Sequence, residues 1–109
     1  VIAISVTNLE RANKFYGEIL GLEPVIEDDQ HFGWVLGDLR FLLKEGWQTP
    51  TSEPNPRLTL EVDDARATEV ELKSRGVTIS DPIEVMEEKF TLGSFLDSEG
   101  NKFWFCSRK

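Results

Sequence analysis

The 109-residue chain has the size of one domain, and its 39% hydrophobic and 10% aromatic content supports a packed interior rather than disorder. A formal net charge of -8, from 20 acidic and 12 basic residues, excludes nucleic acid and anionic membranes as expected partners, since both are bound by clustered Lys and Arg. The one cysteine, Cys106, excludes an internal disulfide and fits a cytoplasmic protein, while the one histidine, His31, leaves little material for a transition-metal site.

Val1 to Val6 reads as a first strand of β-branched and small residues, too short and too poor in flanking positive charge for a signal peptide. The sequence begins without Met, so residues upstream of Val1 are expected. Thr7-Asn8-Leu9-Glu10 has the form of a capping box with Thr7 as the cap. Leu9, Ala12, Phe15, Tyr16, Ile19 and Leu20 then share one helical face, and Gly21 supplies the helix stop. Three strands are predicted at about 23–28, 31–36 and 39–45, with turns at Asp28-Asp29 and Gly37-Asp38.

Gly46 to Pro56 holds three of the five prolines and reads as a linker that joins two halves of one domain. The order then repeats. A strand at Arg57–Val62 leads to a helix capped by Asp63 or Asp64, whose thin apolar face is Ala65, Thr68, Glu69 and Leu72 and whose stop is Gly76. Strands follow at about 78–85, 89–97 and 102–107. A strand–helix–three-strand unit recurring at about 55 residues predicts an α+β fold. Two βαβββ modules, about 1–45 and 57–109, would form a curved mixed sheet, a cup with its helices outside.

Alternate strand residues share a face, so the apolar set must meet the helix and the other set must line the cup. This places Arg57, Thr59 and Glu61 inside, with Arg40, Leu42 and Lys44 from the fourth strand and Lys102, Trp104 and Cys106 from the last. Trp34 and Trp47 are expected at the rim. Arg57 and Glu61 lie two places apart, as either a structural salt bridge or a ligand contact. Glu61 is the best acid/base candidate, although Arg57 beside it would lower its pKa. Cys106 has no histidine partner in evidence, Tyr16 reads as core, and His31 reads as a solvated turn residue.

Asn8-Leu9-Glu10-Arg11-Ala12, Phe15-Tyr16 and Leu20-Gly21-Leu22-Glu23 resemble the first-module signature of the vicinal oxygen chelate superfamily, with Asn8 where Asp is more typical. Val62-Asp63-Asp64 and Leu72-Lys73-Ser74-Arg75-Gly76-Val77 are similar to its second-module helix. Phe95-Leu96-Asp97-Ser98-Glu99-Gly100-Asn101 resembles its closing Asp-Pro-Asp-Gly-Asn turn, with Ser98 replacing Pro and Glu99 replacing Asp. The resemblance covers essentially the whole chain. It implies a metal site at Val1, Leu42, Arg57 and Trp104, but none of these can ligate a metal, and a permanent guanidinium cation there repels one.

The resemblance therefore points to the metal-lacking, bleomycin-resistance-like branch. It implies a cytoplasmic homodimer, without metal or other cofactor, that sequesters or senses a small amphipathic or aromatic compound. The ligand-binding set is Trp104, Arg57, Glu61, Thr59, Leu42, Lys102, Trp34 and Trp47. The overall acidity favours a cationic drug, whereas Arg57 and Lys102 favour a carboxylate or phosphate, and the balance tilts slightly toward an anionic or polar aromatic ligand. Two alternatives stand beside this one: a metal-dependent lyase, isomerase or dioxygenase, and a ligand-free regulatory or assembly module.

Overall fold

The computed structural model describes residues 2–53 and 58–108. The chain divides into two compact units, module one at Val1–Pro50 and module two at Thr51–Lys109. Each is a four-stranded mixed sheet with helix on one face, so the fold is α+β and built from two βαβββ modules.

Module one runs β1 (Ile2–Val6), α1 (Leu9–Lys14), β2 (Glu23–Glu27), β3 (Gln30–Leu36) and β4 (Leu39–Glu45). The strands lie in the order β1-β4-β3-β2, with β1 parallel to β4 and the other pairs antiparallel. The cap of α1 is Asn8, not Thr7: Asn8 Oδ1 accepts from Arg11 N at 2.9 Å. The Thr7 hydroxyl instead accepts from Arg11 Nη2 at 3.1 Å. The helix starts one residue later than the capping-box pattern suggests, and Glu45 Oε2 takes the Leu9 N–H at 2.8 Å.

Beyond Lys14 the helix widens into a π-helical segment, Phe15–Ile19, closed by Leu20 N donating to Phe15 O at 2.9 Å. Gly21 follows with φ 69°, and Leu22 N folds back to Tyr16 O at 3.0 Å. Widening the turn carries Phe15 and Tyr16 onto the sheet. Tyr16 is fully buried, edge-on to Phe15 at 5.3 Å and to Phe41 at 4.9 Å. Leu9, expected on the apolar face, is 38% exposed at the open end of the helix.

Module two repeats the plan with β5 (Thr59–Glu61), α2 (Ala65–Ser74), β6 (Thr78–Met86), β7 (Phe90–Leu96) and β8 (Lys102–Arg108), ordered β5-β8-β7-β6. Asp64 is the cap, with Oδ1 accepting from Arg66 N and Ala67 N at 3.0 and 3.1 Å. Ala65 N donates to Ser107 Oγ at 2.8 Å, so in both modules the first helical N–H is taken by a side chain near the end of the last strand. The stop is a Schellman turn: Val77 N bonds Leu72 O at 3.0 Å around Gly76 at φ 78°.

The thin face of α2 is as read, with Ala65 and Leu72 buried and Thr68 and Glu69 partly so. Glu69 is the informative member. Its Oε2 accepts from Ile83 N at 2.9 Å, on the edge strand β6 beside Pro82. A carboxylate thus occupies a donor that the edge of the sheet would otherwise present. Beneath α2, Phe95, Phe103, Phe105 and Val77 form the core, with Phe95 and Phe103 stacked at 5.5 Å.

The β7–β8 turn is held by two buried side chains. Asp97 Oδ1 accepts from Glu99 N and Asn101 N at 2.9 and 2.8 Å, and Asp97 Oδ2 accepts from Asn101 Nδ2 at 3.1 Å. Asn101 Oδ1 in turn accepts from Thr51 N at 3.0 Å, and Lys102 N donates to Thr51 O at 3.1 Å. Asp97, Gly100 and Asn101 thus have a structural reason for their places in the turn. Among the described residues, no helix is long and apolar enough to cross a membrane.

Candidate functional site

In each module the helix covers one face of the sheet, and register decides what stands on the other. In module one, Ala3 pairs with Leu42 and Ser5 with Lys44, so these four share the face away from the helix. Trp47 follows β4 and is 50% exposed, with Lys44 Nζ 5.4 Å from its ring centroid.

Trp34 is not at a rim. It pairs with Phe41 on the helix side, is 7% exposed, and donates from Nε1 to Asn13 Oδ1 at 3.0 Å. Gly17 makes room for it, since a Cβ there would stand 2.6 Å from Trp34 Cη2. His31, expected at a turn, lies within β3. Its ring meets Trp34 edge-on at 4.5 Å, and its Nε2 donates to Gly33 O at 2.8 Å.

Module two brings together more of the expected residues. Thr59, Trp104, Ser94 and Asp81 form one row across the sheet, and Glu61, Cys106, Leu92 and Glu84 form the next. Lys102 stands with Leu96 and Thr78 in a third row on the same face. Phe103 and Phe105 alternate onto the helix side, so the parity reading of β8 holds. Thr59, Glu61, Lys102 and Trp104 thus share one face, while Leu42 and Trp47 lie in module one and Trp34 is buried in its core. Arg57, and with it the proposed Arg57–Glu61 pair, lies outside the described residues.

The centre of this face is a hydrogen-bonded polar group. Lys102 Nζ lies 2.8 Å from Asp81 Oδ2 and 5.0 Å from the Trp104 ring centroid. Ser94 Oγ donates to the same Asp81 Oδ2 at 2.5 Å and accepts from Asp81 N at 2.9 Å. Ser94 is fully buried, and the Lys102 and Asp81 side chains are 16% and 42% exposed. Asp81 and Ser94 were not legible as site residues. A register shift on either side of Asp81, next to Pro82, breaks the alternation that parity depends on. The pairing of Ser94 with Trp104 in the register of β7 and β8 was the one signal that could have found them.

The resemblance raises the question of a metal, and the residues do not fit one. Leu42 and Trp104, at two of the four carried-over positions, offer no donor, and Val1 and Arg57 lie outside the described residues. Among the described residues no three His, Cys, Asp or Glu side chains converge into a metal-binding group.

A family model described as the Glyoxalase/Bleomycin resistance protein/Dioxygenase superfamily matches residues 1–105. No curated protein sequence matches the chain. Among solved structures, TnmS3, an antibiotic binding protein from Streptomyces sp. CB03234, is 19% identical with a TM-score of 0.75, covering 99% of this chain and 93% of that one. A superfamily member from Sphaerobacter thermophilus DSM 20745 is 23% identical, with a TM-score of 0.72 over 98% and 95% of the two chains. Lactoylglutathione lyase from Agrobacterium tumefaciens is 16% identical, with a TM-score of 0.72 over 98% and 92%. These neighbours share the fold, binding protein and enzyme alike. With both modules in place and the family model matching from residue 1 to 105, the chain belongs to the glyoxalase/bleomycin resistance protein/dioxygenase superfamily.

Proposed function

We propose that this protein binds a small amphipathic or aromatic molecule without a metal ion, using the helix-free face of module two. The observation that carries this reading is Trp104. It stands mid-sheet between Thr59 and Ser94, half-buried, with the paired Lys102 ammonium over its ring. A large flat side chain flanked by a few fixed polar groups is the usual make-up of a small-molecule site. Leu42 and Trp104 at former ligand positions argue against the metal-dependent reading. TnmS3, named as an antibiotic binding protein, shows that the same fold is used for binding. Thr59, Glu61, Lys102 and Trp104 are the proposed contacts on this face. A cytoplasmic homodimer completes the reading, since β2 and β6 each leave one side unpaired within their sheets.

The test is a panel of aromatic antibiotics screened by calorimetry against wild-type protein and Trp104→Ala. A hit that weakens about tenfold or more in the variant supports the assigned face, that being the ~1.4 kcal/mol expected of one aromatic contact. A hit of unchanged affinity removes it. Adding a divalent metal should leave affinity unchanged, and a metal requirement would restore the enzyme reading.

A further inference from the structure

We propose that the module-two face selects cationic aromatic compounds, with Lys102 as an internal cation that the ligand's ammonium or amidinium group replaces. The inference rests on reading that face as a small-molecule site. The Lys102 ammonium makes the two contacts that a bound organic cation would make, at 5.0 Å from the Trp104 ring centroid and 2.8 Å from Asp81 Oδ2. The carboxylate does not depend on Lys102 for its position. Ser94, fully buried, holds Asp81 through both the carboxylate oxygen and the backbone N–H.

Exposure gives the direction of selectivity. The Asp81 side chain is 42% exposed and that of Lys102 only 16%, so the carboxylate is the charge that an arriving molecule meets first. Glu61 and Glu84, both exposed, stand in the adjacent row of the same face. Three carboxylates and one ammonium thus stand on this face among the described residues, so its balance is acidic. Exchange of one cation for another keeps Asp81 paired, and the four-carbon stem of Lys102 lets its ammonium swing into water. An anionic ligand has no such route. It must take Lys102 from Asp81 and then lie beside Glu61 and Glu84. Lys102, one of the two cations that tilted the sequence toward an anionic ligand, therefore loses that weight, because Asp81 already neutralises it.

The experiment is calorimetry at low salt with three probes of one shape, 1-naphthylmethylammonium, 1-naphthylmethanol and 1-naphthoate. They are titrated into wild-type protein, Lys102→Ala and Asp81→Asn. The ammonium should bind about tenfold tighter than the alcohol, and 1-naphthoate weakest. Lys102→Ala should tighten the ammonium more than the alcohol, and Asp81→Asn should erase the preference of ammonium over alcohol. Equal binding of ammonium and alcohol, or tightest binding of 1-naphthoate, overturns the inference and leaves the small-molecule site standing. Binding of none of the three overturns both. Should Asp81→Asn fail to fold, the probe ranking on wild type and Lys102→Ala decides the matter.

Discussion

The Trp34 indole reaches across from β3 to the first helix and donates to Asn13 Oδ1 at 3.0 Å, lying directly over Gly17. The three residues act as a unit. Asn13 satisfies the one polar atom of a buried ring, and the missing side chain of Gly17 supplies the space.

Gly17→Ala should therefore destabilise the protein, although alanine favours helix over glycine by about 1 kcal/mol. A Cβ 2.6 Å from Trp34 Cη2 forces the ring to move, an overpacking cost of about 1–3 kcal/mol. Urea denaturation should give a net loss of up to about 2 kcal/mol. In the Trp34→Leu background the same change should be neutral or stabilising. Equal losses in both backgrounds would show that the ring is not the obstacle.

Asp97→Ala should cost about 2–4 kcal/mol, because it strips acceptors from the N–H groups of Glu99 and Asn101 and from the Asn101 amide in a buried turn. Asn101→Ala should cost less, about 1–2 kcal/mol, since backbone bonds to Thr51 O and Asp97 N remain. Thermal melts of the two variants check the order. A turn variant with unchanged melting would refute the structural role.

The β6–β7 turn holds Glu87 at φ 52° and Glu88 at φ 57°, in the left-handed region that side chains other than Gly, Asn and Asp seldom adopt. Module one uses Asp28 and Asp29, at φ 51° and 63°, in the corresponding hairpin. Replacing Glu87-Glu88 with Asn-Gly should stabilise the protein by about 0.5–1 kcal/mol. Asn-Gly in place of Asp28-Asp29 should give a smaller gain, because Asp tolerates that conformation better. Chemical denaturation of both variants checks the ranking.

Cys106 offers a direct reporter of occupancy. It lies between Glu61 and Leu92 on the face of Trp104 and is partly accessible. A molecule seated on Trp104 should slow its alkylation by iodoacetamide several-fold, measured by mass spectrometry. An unchanged rate at saturating ligand would place the ligand elsewhere.

Reading faces by alternation succeeded where strands are regular. In β8, Phe103 and Phe105 turn inward to α2 and Lys102, Trp104 and Cys106 turn away, as their spacing predicts. It was blind in β6, where the register shifts around Asp81, and so missed the residue that anchors Lys102. Trp34 was missed for another reason. A glycine within a helix reads as a weak point in the sequence, and only the packed structure reveals it as a slot. The Thr7 and Asn8 ambiguity is a third kind, since both residue types can cap and only the position of the first helical residue separates them.

The strand order β5-β8-β7-β6 has a consequence for how the protein is made. β8 lies between β5 and β7, yet it is the last strand of its module to leave the ribosome. Until then β5 lacks its parallel partner, Ala65 N its Ser107 acceptor, and Thr51 O the Lys102 N–H. During translation module two can form only the β6–β7 hairpin and a nascent α2, with Phe95 in contact with water. Module one meets the same constraint earlier, because β4 completes its sheet by Glu45. Vectorial synthesis thus favours a folded first module while the second waits for its central strand.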